Sequence, residues 1–193
     1  MLDFRQETRT IIEGALTGDI AVASLRIQGS GPYDLAAFIS PGRPPRRLSD
    51  VEYGEAPFTR ELLVELVVRM QRYRWARFDD FSLDLVPHGA DAWKEVAKRI
   101  GPSPEHGDGW LDLISAAVDM IVEAGGDPAT SQLKSKFGSM RWYTKGLEGE
   151  AGSAIVDAAE HLSFQLCETC GAPGKRRSDR GWISVLCEEH SHA

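Results

Sequence analysis

Cysteine is scarce in this chain: there are three in 193 residues, and none occurs before position 167. An odd number clustered beside a histidine favours metal ligation over disulfides and fits a reducing cytoplasm. Long apolar runs are also missing. No segment approaches the roughly 20 apolar residues that span a bilayer, so no membrane partner is expected. The opening Met1-Leu2-Asp3-Phe4-Arg5 lacks a basic start followed by an apolar stretch, so no signal peptide is evident. Nor is there a basic excess. The net charge of −7 disfavours a protein that coats nucleic acid with its whole surface.

What is present supports a folded chain. Hydrophobic residues make up 42% and charged residues 26%, enough for a core and ordinary solubility, in one domain or two small ones. The charge is unevenly spread. Residues 130–193 balance eight basic against eight acidic side chains, so the whole negative excess lies in residues 1–129. Such a half is either a solvated surface or one that faces a basic partner.

Along the N-terminal half, Asp3 caps a first helix with Gln6 as its capping-box partner, and Phe4, Ile11, Ile12 and Leu16 mark its apolar face up to Gly18. Ile20 to Ile27 reads as a strand, Gly29-Ser30-Gly31-Pro32 as a turn and Tyr33 to Ser40 as the returning strand of a hairpin. A loop with three prolines follows over residues 41–47; its Arg43, Arg46 and Arg47 read as a solvated connector. Thr59 then caps a helix whose buried face is Leu62, Leu63, Leu66, Val67 and Met70. Arg69, Arg72 and Arg74 sit toward its negative end. Phe81, Leu83 and Leu85 alternate as in a half-buried strand, and Asp91 caps a short helix carrying Trp93, Val96 and Ile100. Asp79 and Asp80 are adjacent and so point to opposite faces of a strand. Asp80 and Asp84 share a face without any accompanying histidine motif, which makes them a solvated edge rather than a catalytic pair.

This element order predicts an α+β fold with a small antiparallel sheet and helices. With Phe78, Phe81 and Trp93 in the third strand region, it loosely resembles the YezG-like immunity proteins of bacterial polymorphic toxin systems over about half the chain. The resemblance implies a non-enzymatic protein that blocks a toxin.

The Gly- and Pro-rich stretch 101–109, with His106 and Asp108, is the expected linker between an interaction domain at 1–100 and a metal-binding module at 110–193. Beyond it, a helix from Trp110 turns Leu111, Ile114, Val118 and Ile121 inward and ends at Gly125-Gly126. Lys134, Lys136, Arg141 and Lys145 are interleaved with Phe137, Trp142 and Tyr143 around a turn expected at Gly138-Ser139. That pattern suits phosphates and stacked bases, or else aromatics packed in a core under solvated lysines. A last helix over 148–166 buries Ile155, Ala159, Leu162 and Leu166 and leads straight into Cys167.

Cys167-x-x-Cys170-Gly171 has the spacing at which one tight turn aims two thiolates at one ion, with Gly171 free to take the left-handed geometry that closes it. Cys187-x-x-His190 supplies a second pair after sixteen intervening residues, which is room for a hairpin with its tip over 174–181. Four such ligands suit a closed, structural Zn2+ site; His192 is the competing fourth ligand. Lys175, Arg176, Arg177 and Arg180 load the expected tip with positive charge, for contact with a partner or with nucleic acid.

Three segments together, Lys136-Phe137-Gly138-Ser139-Met140-Arg141-Trp142-Tyr143, then Cys167-x-x-Cys170-Gly171-x-Pro173-Gly174, then Gly181-Trp182 with Leu186-Cys187-x-x-His190, resemble a module of uncharacterised bacterial and phage-borne proteins. It covers about residues 108–193 and implies a zinc-bound domain without implying an activity. The expected function is a cytoplasmic, non-enzymatic binding protein, an immunity or inhibitor protein facing a basic partner such as a toxin. The alternative is a nucleic-acid-binding zinc module. A metal-dependent enzyme needs an open coordination position and finds no nucleophile–base pair or phosphate loop here.

Overall fold

Asp3 opens the first helix, α1 (Phe4–Ala15), by accepting hydrogen bonds from the backbone N–H groups of Arg5 and Gln6. The reciprocal half of the expected capping box is absent, because the Gln6 amide instead reaches Thr10 one turn on, at 3.5 Å. The computed structural model describes residues 3–44, 56–79, 81, 84–89, 91–101, 107–147, 149–178 and 181–192. Arg46, Arg47, Asp80, Leu83, His106 and Arg180 lie outside the described residues.

After α1 the chain departs from the expected strand. Asp19 accepts from the Ala21 N–H at 2.9 Å and winds Ile20–Ser24 into a 3-10 turn. Only Arg26–Gln28 is left as β1. The Asp34 carboxylate likewise gathers the N–H groups of Ser30 and Gly31, making Pro32–Asp34 a second 3-10 turn before β2 (Ala36–Phe38). Those donors hold Asp34 down to about 2. The hairpin itself forms, with Ile27 opposite Ala37.

Helix α2 (Arg60–Trp75) starts where Thr59 Oγ1 accepts from the Leu62 N–H at 3.2 Å. It is followed by a ribbon of two-residue strands, β3 (Phe78–Asp79) and β4 (Asp84–Leu85), and then α3 (Ala92–Ile100). Phe81 lies at the end of that ribbon, 99% exposed, rather than on a buried strand face. Asp79 turns the chain there by accepting from the Phe81 N–H at 3.0 Å. Asp91 makes no cap; its carboxylate pairs with Lys94. The C-terminal half runs through α4 (Leu111–Glu123), β5 (Thr130–Lys136), β6 (Ser139–Thr144), α5 (Glu150–Ser163), β7 (Lys175–Arg177), β8 (Ser184–Leu186) and α6 (Glu188–Ser191). The fold is α+β; among the described residues its strands form four antiparallel ribbons of two strands each. Among the described residues no helix is long and apolar enough to cross a membrane.

One hydrophobic core joins both halves of the chain. Ile11 and Ile12 of α1, Leu63, Leu66 and Met70 of α2, Ile114 and Val118 of α4, and Ala159 and Leu162 of α5 are all buried in it. His161 on α5 bonds the Ala15 carbonyl through Nε2 at 2.7 Å and meets the Phe58 ring edge-on. The boundary expected at 101–109 therefore does not separate two cores. The reason lies in α4: it is apolar almost all round and needs partners on both sides, and α2 and α5 supply them.

The three arginines at the end of α2 do more than complement its dipole. Arg69 pairs with Glu65 and with Glu123 of α4, and Arg72 donates to the Leu35 carbonyl at 2.9 Å. Arg74 is buried. Its Nε donates to Glu7 of α1 at 2.6 Å, and Gln71 donates to the same carboxylate oxygen at 3.1 Å. Removing one member of a buried ion pair strands the other in low dielectric, at a cost of about 3–5 kcal/mol. Glu7→Ala is expected to lower the urea unfolding free energy by about that amount; a loss below about 1 kcal/mol would place the pair in solvent.

Candidate metal centre

The chain reaches the site through the end of α5. Leu166 pairs with Pro173 in an isolated antiparallel bridge, and the Gly174 N–H donates to the Gln165 carbonyl at 2.8 Å. Inside this loop the Gly171 N–H donates to the Cys167 carbonyl at 2.9 Å, and the Cys167 N–H donates to the Ala172 carbonyl at 2.8 Å. Gly171 sits at φ +75°, where a side chain is strained. The turn folds Cys170 back over Cys167.

The second pair arrives on a different element. Strand β8 ends at Leu186, Cys187 is the residue that precedes α6, and one helical turn carries His190 round to face the same point. Cys167, Cys170, Cys187 and His190 thus offer three Sγ atoms and Nδ1 within 4.8 Å of one another. Cys170 Sγ and Cys187 Sγ are 3.7 Å apart, as are Cys167 Sγ and His190 Nδ1, while Cys187 Sγ and His190 Nδ1 are 3.1 Å apart. A tetrahedral ion with metal–sulfur bonds of about 2.3 Å and a metal–nitrogen bond of about 2.0 Å needs sulfur–sulfur edges of about 3.8 Å and sulfur–nitrogen edges of about 3.5 Å. Two of these edges already match, and the third needs the imidazole to move outward by about half an ångström. The set can hold a metal ion. His192 is exposed and is not part of it.

The electrostatics prepare the thiolates. Cys167 is drawn down to about 4, first by the Cys170 thiol that donates to it and then by the backbone N–H groups of Cys187, Cys170 and Thr169, against its burial. Cys170 is pushed up, because its proton is held on Cys167 and its own thiolate would be buried beside another.

Several residues that spacing does not single out build the surroundings. Glu168, between the first two cysteines, accepts from the Val185 N–H and from Ser135 Oγ, both at 3.0 Å, so it ties β8 and β5 to the knuckle. Burial pushes its carboxyl up, while those two donors pull it back. Gly109 donates its N–H to the Glu168 carbonyl at 3.0 Å, and the Trp110 indole N–H reaches the Leu166 carbonyl at 3.4 Å. Arg74 donates to the Cys170 carbonyl through its second nitrogen. Glu168 could be suspected from its place between two ligands. The Arg74 contact spans 96 positions of sequence and has no local signal. A cleft of about 430 Å³, lined in part by Arg74, Arg77, His88, Cys170 and His190, opens beside the ligands. Arg77 Nη2 meets the buried Asp112 at 2.6 Å and His88 Nε2 lies 3.3 Å from the same carboxylate, while Arg77 Nε and His88 Nε2 are buried without a hydrogen-bond partner.

The basic residues singled out from sequence divide. The β5–β6 ribbon turns at Phe137-Gly138, both at positive φ (56° and 76°), one residue earlier than expected. Lys134 is half-buried and Lys136 and Lys145 are exposed. Arg141 folds inward, bonding Ser139 Oγ at 2.7 Å and the Met140 carbonyl at 2.9 Å. Trp142 is buried with its N–H on Thr130, so it is a core residue and no stacking platform. Lys175, Arg176 and Arg177 form strand β7 rather than a hairpin tip, because they pair with Leu186, Val185 and Ser184. Arg177 also meets Glu188 at 3.4 Å.

Gly109 gives a direct handle on this architecture. A Cβ there would lie 2.1 Å from the Cys167 carbonyl oxygen and 2.7 Å from the Glu168 carbonyl carbon, so the knuckle backbone must shift. Gly109→Ala is expected to cost about 1–3 kcal/mol of stability, as overpacked sites do, and to weaken metal binding in competition with a chromogenic chelator. Gly89→Ala, where a Cβ meets nothing within 4 Å, is the matched control and is expected to change neither.

No family model, curated protein or solved structure matches this chain, so the two resemblances drawn from the sequence stand on the residues quoted for them.

Proposed function

We propose that this chain is a non-enzymatic binding protein organised by a structural Zn2+ ion. One observation carries the proposal: four candidate ligand atoms from two separate turns lie within 4.8 Å of one another. Three thiolates and an imidazole match the preference of zinc for sulfur and nitrogen, and a filled tetrahedral shell leaves no position for a reacting water. The ion supplies cross-linking. It joins the end of α5 to β8 and α6, and so fixes the small β7–β8 ribbon against the body of the fold.

Two classes of partner draw support from different surfaces. An immunity or inhibitor role against a basic toxin rests on the acidic excess of residues 1–129. A polyanion-binding role rests on the exposed lysines and rings of the β5–β6 ribbon, and this more specific surface favours it.

Metal analysis of protein purified without chelator is expected to give one equivalent of zinc; less than half an equivalent would overturn the proposal. Cys170→Ser is expected to lose the metal and lower thermal stability. Binding requires deprotonated ligands, so the stability contributed by zinc is present at neutral pH and is lost as the pH falls and protons compete for the thiolates and the imidazole. Acid titration with a zinc-sensitive dye is expected to show metal release together with loss of stability. Stability that is the same with and without zinc at neutral pH would contradict a structural role.

A further inference from the structure

We infer that the outer face of the β5–β6 ribbon, extended by Trp182, is a binding surface for single-stranded nucleic acid. This rests on the structural-metal reading, because the candidate ligand Cys187 directly follows β8, which Glu168 also ties to the ribbon through the Val185 N–H and Ser135 Oγ. The contact is close: a Cβ on Gly138 would lie 3.3 Å from Ile183 Cγ2 and 3.2 Å from the Ser184 carbonyl carbon. Phe137 and Trp182 are the chain neighbours of the residues in this contact.

Three aromatic rings stand in water there. Phe137 is 46% exposed, Tyr143 47% and Trp182 66%. Phe137 is also the one described non-glycine residue at positive φ, in a two-residue turn that favours Asn or Gly. A phenylalanine at that position is unfavourable for the backbone and for hydration together, and a local rule broken twice at one residue points to a use for the ring.

The charges complement the rings. Lys134 Nζ lies 5.5 Å from the centre of the Tyr143 ring, and Lys136 Nζ lies 5.4 Å from that of Phe137. Lys145 is also exposed, one residue beyond β6, and no acidic residue occurs in the sequence between Asp127 and Glu148. The ribbon therefore presents alternating flat π faces and cations. Phosphates meet the lysines, and unpaired bases stack on the rings. A duplex hides its base faces, and an acidic peptide has no use for three exposed rings. Single strands are the occupant that uses both features.

The test is fluorescence anisotropy of a labelled 20-nucleotide oligothymidine with the full chain, with zinc content measured on the same samples. Expected is a dissociation constant on the order of 10 µM at 50 mM salt, weakened about 20-fold at 200 mM if three lysines contact phosphates. Phe137→Asn, which suits the turn, and Trp182→Ala are each expected to weaken binding about tenfold. Lys134→Glu with Lys136→Glu is expected to abolish it. Equal binding of polyglutamate or of duplex DNA would overturn the inference, as would ring variants that bind like the parent. A zinc-loaded chain that does not bind overturns this inference alone. A zinc-free chain that binds overturns the metal reading alone.

Discussion

Everything near the metal centre depends on backbone lying directly on backbone. The segment leading into α4 passes so close to the Cys167–Gly171 turn that no Cβ fits at Gly109 or Gly171. A Cβ on Gly171 would come within 2.5 Å of the Gly109 carbonyl oxygen. Sealed between them are the Cys167 and Glu168 carbonyls, and Gly109 donates its N–H to the latter. This approach places the first pair of ligands against the core. The second pair must then come to meet it, because the knuckle has no freedom to swing outward.

Two kinds of interaction hold the site to the rest of the molecule. The local kind is the hydrogen-bond set around the turn, with Glu168 bridging Ser135 and Val185. The remote kind is Arg74, which joins α1, α2 and the Cys170 carbonyl in one buried cluster. Their roles differ in consequence. A two-stranded ribbon is at best marginally stable alone, and the β7–β8 ribbon has strands of only three residues. The β5–β6 ribbon leans on α5, where Ser163 and Glu160 accept its Met140 and Trp142 N–H groups. The β7–β8 ribbon leans on the metal ligands that flank it. Structural zinc in small domains contributes on the order of 10 kcal/mol, the scale that an ion held by these ligands would add.

The long helices and the ligand quartet were legible in the sequence because each is a local pattern. Ile114, Val118 and Ile121 recur at helical spacing, and two ligand pairs each span a single turn. The shared core was not legible, since the Gly- and Pro-rich stretch before Trp110 looks like a linker when no partner is in view. The described end of that stretch, Gly107 and Gly109, packs against the Glu168 backbone. The Ile20 and Phe81 segments have strand-forming residues, yet Asp19 and Asp79 capture nearby N–H groups and turn the chain first. Trp142 belongs to the core because Thr130, its hydrogen-bond partner, is buried opposite β6. Residue type alone could not separate it from Tyr143, which stands in solvent one position later.

The central claim is that the metal holds the knuckle and the β7–β8 ribbon onto a core that is otherwise complete. Hydrogen exchange of backbone amides, before and after chelation, addresses this directly. Chelation is predicted to release the amides of Gly109, Cys167, Glu168, Gly171 and Gly174 to fast exchange while those of α2, α4 and α5 stay protected. Unchanged protection at the knuckle would contradict the account, because the turn would then be held without the ion.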